Sequence, residues 1–163
     1  MAAQVASMLY AVDWQPQHTA TAVQPPATPG RWLLLADGHG VSAALATRLT
    51  ALGEQVESLP LPSADDTWAD QIKQALMSAQ ERPLRGILHL WALDAGLTDD
   101  SRDLLSSQQR PLASVLSIIQ GLATIPTPGF ALPRLWLVTR GAQQLTPTEQ
   151  VALAQTPLCG LGR

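Results

Sequence analysis

Two glycines and an alanine have the spacing of a nucleotide-binding turn. Gly38-x-Gly40-x-x-Ala43 matches G-x-G-x-x-G/A, in which a tight turn aims backbone amides and a helix N-terminus at a pyrophosphate. Asp37 precedes this turn and would repel phosphate. The next strand-like segment ends at Leu59, before Pro60, with no charged residue there to hold a ribose. We therefore predict that the glycines serve a tight turn and close packing, and that this degenerate turn binds no cofactor.

Carbonyl reduction would need different residues. One arrangement that protonates a developing alkoxide pairs a tyrosine with a lysine four residues later, which lowers the pKa of the tyrosine. The chain has one tyrosine, Tyr10, and one lysine, Lys73, so it contains no Tyr-x-x-x-Lys. We predict that the chain has no catalytic residues and is not an enzyme by itself.

Other reactive side chains are few and widely separated. The residues that could bind a transition metal are His18, His39, His89 and Cys159. Their spacing fits no metal site, so none is predicted. His39 is interpreted as a solvated turn residue, and His89, inside an apolar strand, as a hydrogen-bonded core or interface histidine. Ser42 and Ser114 have no histidine partner that the sequence can place, which leaves nucleophilic catalysis without support.

The turn is flanked by a strand and a helix. Trp32 to Ala36 is a short, continuous apolar run, typical of a strand buried on both faces. Ser42 can cap the following helix, and Gly53 has the place of a helix C-terminal glycine. The apolar positions of that helix recur at three and four residues: Leu45, Leu49 and Leu52. This strand, turn and helix form the first unit of a doubly wound α/β fold.

Strand-like and helix-like segments continue to alternate. The predicted strands of the parallel sheet are Trp32–Ala36, Gln55–Leu59, Gly86–Trp91 and Leu135–Thr139. Right-handed crossovers and a reversal at the first strand place the second strand outermost, followed by the first, third and fourth. The predicted helices begin near Ser63, Asp99 and Thr146; Pro111 can kink or restart the second, the third continues to Ala154, and Pro157–Arg163 is a frayed end. The predicted fold class is α/β, a truncated Rossmann-like parallel sheet with flanking helices.

The N-terminal region differs from the rest of the chain. Leu9–Trp14 alternates like a strand with Tyr10 and Trp14 on its buried face, and a proline-rich linker follows. We divide the chain into residues 1–30, this strand and linker, and residues 31–163, the α/β body. The strand is expected to pair with a partner. The aromatic interface candidates are Tyr10, Trp14 and Trp91.

Composition narrows the partners. Charged residues are 14% of the 163 residues and hydrophobic residues 46%, against a usual charged share of about 25%, so part of the surface is expected to be covered. The net charge of −3 without a basic cluster argues against nucleic acid and anionic membranes. A single cysteine and the lack of a long apolar run predict a cytoplasmic protein.

Four stretches together resemble one family. LYAVDW, RGILHLWALD, PRLWLVTRGAQ and TPLCGLGR are similar to the structural subdomain of the ketoreductase region in modular type I polyketide synthases. The resemblance covers the chain from about Leu9 to Arg163, and its most specific part is LWLVTRGAQ followed by GLGR, which is similar to the seam before the second half. Cys159 stands where a tryptophan is common in the family, a change expected to affect packing only.

The resemblance implies a function for a partner rather than for this chain. In that family a truncated, inactive half with a short-chain-dehydrogenase-like fold braces a catalytic half. That catalytic half binds NADPH and reduces a β-ketoacyl group carried on an acyl carrier protein, within secondary-metabolite biosynthesis. An active half has a serine near the position of Thr139 here. The expected partners are the catalytic subdomain and neighbouring synthase domains. The alternative is a small, free-standing Rossmann-type protein or reductase that binds a dinucleotide through Gly38 and Gly40.

Overall fold

The computed structural model describes Gln15 and residues 28–61, 68–78, 82–95, 101–124, 132–146 and 148–162. The predicted N-terminal strand, with Tyr10 and Trp14, lies outside the described residues. The proposed division at residue 30 therefore stays a prediction.

Within these ranges, four parallel strands form one sheet. They are β1 (Arg31–Ala36), β2 (Gln55–Pro60), β3 (Leu84–His89) and β4 (Arg134–Leu137). Their order is β2-β1-β3-β4, with all neighbouring pairs parallel. This arrangement confirms the predicted Rossmann-like fold class and strand order, which follow from right-handed crossovers and a reversal at β1.

Four helices of the described part flank the sheet. They are α1 (Val41–Ala51), α2 (Trp68–Met77), α3 (Ser101–Thr124) and α4 (Thr156–Leu161), and a 3₁₀ turn, Trp91–Asp94, follows β3. α2 and α4 both pack against α3, whereas α1 contacts β1 and β2. Right-handed crossovers put α1 on one face of the sheet and α2 and α3 on the other. Helix α3 runs without interruption through Pro111.

The core lies between the sheet and helices α2 and α3. Leu33, Leu34 and Leu35 of β1 are all 0% exposed, as expected for a central strand covered on both faces. Leu33 and Leu35 pack with apolar side chains of the two helices, among them Ile72 and Ile118. Helix α1 lies on the opposite face of the sheet, and Leu52, which follows its last residue, is 64% exposed.

The C-terminal segment differs from its prediction. No helix begins at Thr146 among the described residues; the Glu149 carboxylate instead accepts hydrogen bonds from the amides of Leu145 and Thr146, at 2.9 and 3.3 Å. The Ala152 amide then donates to the Gly141 carbonyl, 2.8 Å away, which draws the segment toward the loop after β4. The supposedly frayed end forms α4, because Leu158 is 1% exposed and packs with Ala92 and Val115 of the core.

Both ends of α1 use glycine. Gly53 follows the helix with φ +82°, the left-handed conformation expected of a C-terminal glycine. At the other end Gly40, with φ +91°, is the N-terminal cap residue. The prediction that Ser42 caps α1 is wrong. The reason is that Ser42 lies inside the first turn, 6% exposed, with its hydroxyl directed back to the Asp37 carbonyl at 3.3 Å.

Candidate functional site

The glycine turn lies where α/β folds bind ligands. It joins β1 to α1, and β1 lies between β2 on one side and β3 on the other, where the direction of the strand order reverses. Ligands of open α/β sheets bind in the crevice at the carboxyl ends of such strands, between the loops that follow them. The 3₁₀ turn Trp91–Asp94, which follows β3, forms the other side of this crevice. The residues on these two loops decide what the crevice can bind.

Asp37 occupies the helix N-terminus with its own carboxylate. Oδ2 accepts hydrogen bonds from the amides of His39 (3.0 Å) and Val41 (3.1 Å), and Oδ1 accepts one from the amide of Ser42 (2.7 Å). Burial of Asp37 opposes its charge, but the hydrogen bonds, led by that from Ser42, outweigh this effect and lower the pKa of the carboxyl. Asp37 therefore carries a negative charge at the place where a phosphate would bind.

A second carboxylate reaches the turn from the loop after β3. Both oxygens of Asp94 lie within hydrogen-bond distance of the Gly38 amide, at 2.9 and 3.0 Å. The same carboxylate lies 3.6 Å from Nε2 of His39, whose side chain is 68% exposed. The two loops of the crevice are thus joined by an internal hydrogen bond, and His39 is a largely solvated turn residue, as predicted.

The three fingerprint residues have different roles here from those in a nucleotide site. A Cβ at position 40 would meet no atom within 4 Å, so glycine is not needed there for space. It is needed for the positive φ. In a binding turn the last fingerprint residue allows close packing of helix and strand, but Ala43 is exposed, and the buried neighbour is Ser42. The Gly38 amide donates to Asp94. In this turn the amides of residues 38, 39, 41 and 42 all donate to carboxylates of this chain.

Gln155 connects the loops after β3 and β4. This side chain is 4% exposed, and its Oε1 accepts a hydrogen bond from the Arg140 amide at 2.8 Å. Its Nε2 lies 3.5 Å from the Ala95 carbonyl. In a reductase this region would have to present a serine hydroxyl to a substrate carbonyl. Here it is occupied by a buried amide that holds two loops together.

Ser114 has a histidine partner that the sequence could not place. His89 Nε2 lies 2.7 Å from Ser114 Oγ, and both side chains are 0% exposed. Ser114 Oγ donates to the Pro111 carbonyl at 2.9 Å, so its single proton is used there and the imidazole must donate to it. A nucleophilic serine needs the opposite arrangement, in which histidine accepts the serine proton.

The buried pair links β3 to α3. Burial lowers the pKa of His89 to about 4, so the ring is neutral at pH 7. Its Nδ1 has no hydrogen-bond partner among the described residues. His89 is the hydrogen-bonded core histidine that one of the two interpretations of the sequence predicted.

The remaining candidates are dispersed. Trp91 is 3% exposed, donates from Nε1 to the Leu59 carbonyl at 3.2 Å and packs edge-on against Trp68, so it lies in the core of this chain. Lys73 is an exposed residue of α2. The described part of the chain holds no group of three His, Cys, Asp or Glu residues that could bind a metal, and no helix in it is long and apolar enough to cross a bilayer.

Comparison with known proteins relates the chain to polyketide synthase subunits. No protein-family model matches the chain, and no solved structure matches it. The chain is similar to two curated proteins, from Mycobacterium tuberculosis and Mycobacterium bovis, each named as a subunit of a phenolphthiocerol/phthiocerol polyketide synthase. Each is 27% identical over 166 residues, which include 99% of this chain. This similarity supports a polyketide synthase relationship. The chain spans 7% of the length of these relatives.

Proposed function

We propose that the chain is a noncatalytic structural subdomain that braces the catalytic half of a ketoreductase within a polyketide synthase module. The observation that carries the proposal is the state of the glycine turn. Its amides, including those of Gly38 and Ser42, already donate to Asp37 and Asp94. A pyrophosphate would have to displace two carboxylates from these amides. Their negative charges would repel it at hydrogen-bond distance, where a binding site needs donors.

The sequence supports the same conclusion from the side of the reaction. Without a Tyr-x-x-x-Lys, the chain cannot supply the proton donor of a short-chain reductase. The polyketide synthase relatives match along almost the whole chain, and LWLVTRGAQ with GLGR resembles the ketoreductase structural subdomain. On this proposal NADPH binding and β-ketoacyl reduction belong to the partner half, which acts on a substrate carried by an acyl carrier protein.

The first test is a titration of the chain with NADPH, followed by tryptophan and cofactor fluorescence. No saturable change is expected at cofactor concentrations that saturate an active reductase. Saturable binding would overturn the proposal and favour the free-standing dinucleotide-binding protein, which would use Gly38 and Gly40.

The second test is a reconstitution. The catalytic ketoreductase half of the same synthase is produced alone and together with this chain, and its melting temperature and its rate of reduction of a β-ketoacyl thioester are measured. The brace should raise both, because a partner that binds only the folded state stabilises it, and it should leave the Michaelis constant for NADPH unchanged. A catalytic half that is equally stable and active without the chain would contradict the bracing role.

A further inference from the structure

A buried carboxylate holds the chain just before β1, at the amino end of the sheet. Oε2 of Glu54 accepts hydrogen bonds from the Gly30 amide at 2.7 Å and from Nε1 of Trp32 at 3.2 Å. Glu54 is 9% exposed, so these donors take the place of water around its charge. The Gly30 carbonyl in turn accepts a hydrogen bond from the Gln55 amide at 2.9 Å. Both backbone groups of residue 30 are therefore bound by the segment that leads into β2.

An irregularity in β3 directs a cation to the same place. The pairing of β3 with β1 passes from Leu84 to Gly86 and leaves Arg85 without an opposite residue, as in a β-bulge, which re-aims a side chain. Nε of Arg85 lies 3.8 Å from Oε2 of Glu54, too far for a hydrogen bond but within range of charge attraction. Nη2 of Arg85 donates to Oγ1 of Thr28 at 3.4 Å. Arg85 thus reaches from β3 to the residues that precede β1.

Two glycines make room for this arrangement. A Cβ on Gly30 would collide with the side chain of Arg85, and a Cβ on Gly86 would collide with the ring of Trp32. Neither of these glycines has a positive φ, so close approach of a side chain, and not backbone conformation, is what requires glycine at both positions. We call the group formed by Thr28, Gly30, Trp32, Glu54 and Arg85 the Gly30 clamp.

The clamp lies at the opposite end of the sheet from the glycine turn. β1 begins directly after Gly30 and ends at Ala36, before Asp37 of the turn, and six residues of strand span about 20 Å. Residues 28–30 connect the α/β body to the N-terminal segment, which the sequence predicts to pair with a partner. A segment whose first residues are already ordered loses less conformational entropy when it binds than a free tether does.

We propose that the Gly30 clamp is an anchor that orders residues 28–30 and fixes the point where the N-terminal segment leaves the α/β body. The segment therefore starts from the amino end of the sheet, away from the crevice that contains the glycine turn. Glu54 supplies the acceptor for the backbone, and Arg85 closes the clamp over Gly30 and holds Thr28. All of these contacts lie within the chain, so the anchor does not depend on the bracing function.

Backbone ¹⁵N relaxation of the full chain tests the anchor directly. The Thr28 and Gly30 amides of the wild type should have order parameters of about 0.85, as rigid backbone does. In Glu54→Ala and in Arg85→Ala the value for Thr28 should fall below about 0.6, the range of flexible backbone. A Thr28 order parameter below about 0.6 in the wild type, or one that neither variant lowers, would overturn the anchor.

A control variant and an internal reference separate release of residues 28–30 from loss of the fold. Glu57→Ala is the matched control, because it removes a carboxylate that pairs with Arg31 at 2.8 Å near the same end of the sheet, and it should leave Thr28 ordered. The Leu34 amide, in the middle of β1, should keep its wild-type order parameter in every variant. Equal loosening of Thr28 in Glu57→Ala would contradict the clamp.

A milder variant serves if Glu54→Ala does not fold. Glu54→Gln keeps an acceptor oxygen for the Gly30 amide but removes the charge that attracts Arg85. It should therefore lower the order parameter of Thr28 more than that of Gly30. The reverse order would contradict the role given to Arg85.

A double-mutant cycle tests the contact between Gly30 and Arg85. Gly30→Ala should lower the melting temperature by about 2–8 °C, because its Cβ collides with Arg85. In an Arg85→Ala chain the same substitution should have little further effect, since the colliding side chain is gone. Equal falls in both backgrounds would overturn the clamp. These measurements use the chain alone, so their failure would leave the bracing function standing, and failure of the reconstitution would leave the clamp standing.

Discussion

Replacing Asp37 by asparagine tests whether its carboxylate holds the turn. The carboxylate accepts from three backbone amides, two at Oδ2 and one at Oδ1, and its side chain is buried with the residue 7% exposed. An asparagine side chain is nearly isosteric but has one oxygen, so its NH₂ group must face at least one amide donor. Leaving one buried amide without an acceptor costs about 1–3 kcal/mol. Loss of the charge at the N-terminus of α1 adds about 0.3–1 kcal/mol.

We therefore expect Asp37→Asn to lower the free energy of unfolding by about 2–3 kcal/mol at pH 7. For a domain of this size that corresponds to a fall in melting temperature of roughly 5–10 °C. Urea unfolding followed by tryptophan fluorescence measures the first quantity and calorimetry the second. Asp70→Asn is the matched control, since Asp70 is an exposed residue in the first turn of α2, and should cost less than about 1 kcal/mol.

The pH dependence of this difference has a definite sign. The folded protein lowers the pKa of Asp37 from its ordinary value of 3.8, so the carboxylate stabilises the fold at pH values above 3.8 and this contribution is lost as the pH falls through the folded pKa. The gap between wild type and Asp37→Asn should stay constant from pH 7 to 5 and narrow below about pH 3.8. A variant that melts within about 1 °C of the wild type at pH 7 would refute the assigned role.

Three further predictions concern other residues. Burial lowers the pKa of His89 from 6.5 to about 4, so between these pH values the unfolded chain binds a proton that the folded chain does not. The free energy of unfolding therefore falls as the pH drops from 6.5 toward 4, by up to about 1.4 kcal/mol per pH unit. Urea unfolding at pH 7.5 and 5 should show this decrease, and His89→Gln should remove it. Gly86→Ala should destabilise by about 1–3 kcal/mol, because its Cβ would collide with the Trp32 ring, whereas Gly160→Ala, into open space, should be neutral or stabilising in thermal melts. Gly40→Val should cost of order 1–2 kcal/mol or more through its positive φ. It should leave the Michaelis constant for NADPH of the two-half reductase unchanged, so a variant that melts normally but raises that constant would contradict the bracing role.

Local patterns were sufficient to predict the framework of the sheet. The run of three leucines, 33 to 35, is apolar without alternation, and a short run of this kind bounded by a glycine turn is typical of a strand covered on both faces. Right-handed crossovers together with a reversal at β1, as in doubly wound folds, then give the strand order that is observed. Gly53 also has the predicted conformation, because the left-handed region at a helix C-terminus strongly favours glycine for steric reasons that are local.

Predictions failed where the partner of a residue is distant in sequence or set by a loop. Ser42 is a residue type that often caps helices, but the first amides of α1 donate instead to the carboxylate of Asp37, because the turn places it beside them. Where a helix was expected after Thr146, the described chain instead turns back, and the Ala152 amide donates a hydrogen bond to the Gly141 carbonyl. No local pattern reports such contacts, since each depends on how the chain turns and how loops approach at the end of the sheet.

By itself, the sequence determined the fold class, the place of the glycine turn and the lack of a reductase's tyrosine and lysine pair, because these depend on periodicity, on glycine and on residues that are or are not in the chain. The tertiary structure decided how the turn is used. Asp94 is 56 residues from Gly38, and only the adjacency of β1 and β3 brings its carboxylate to that amide. The same adjacency of distant elements pairs His89 with Ser114. Buried polar groups must find partners when water is excluded, and which partners they find depends on the packing of the whole chain.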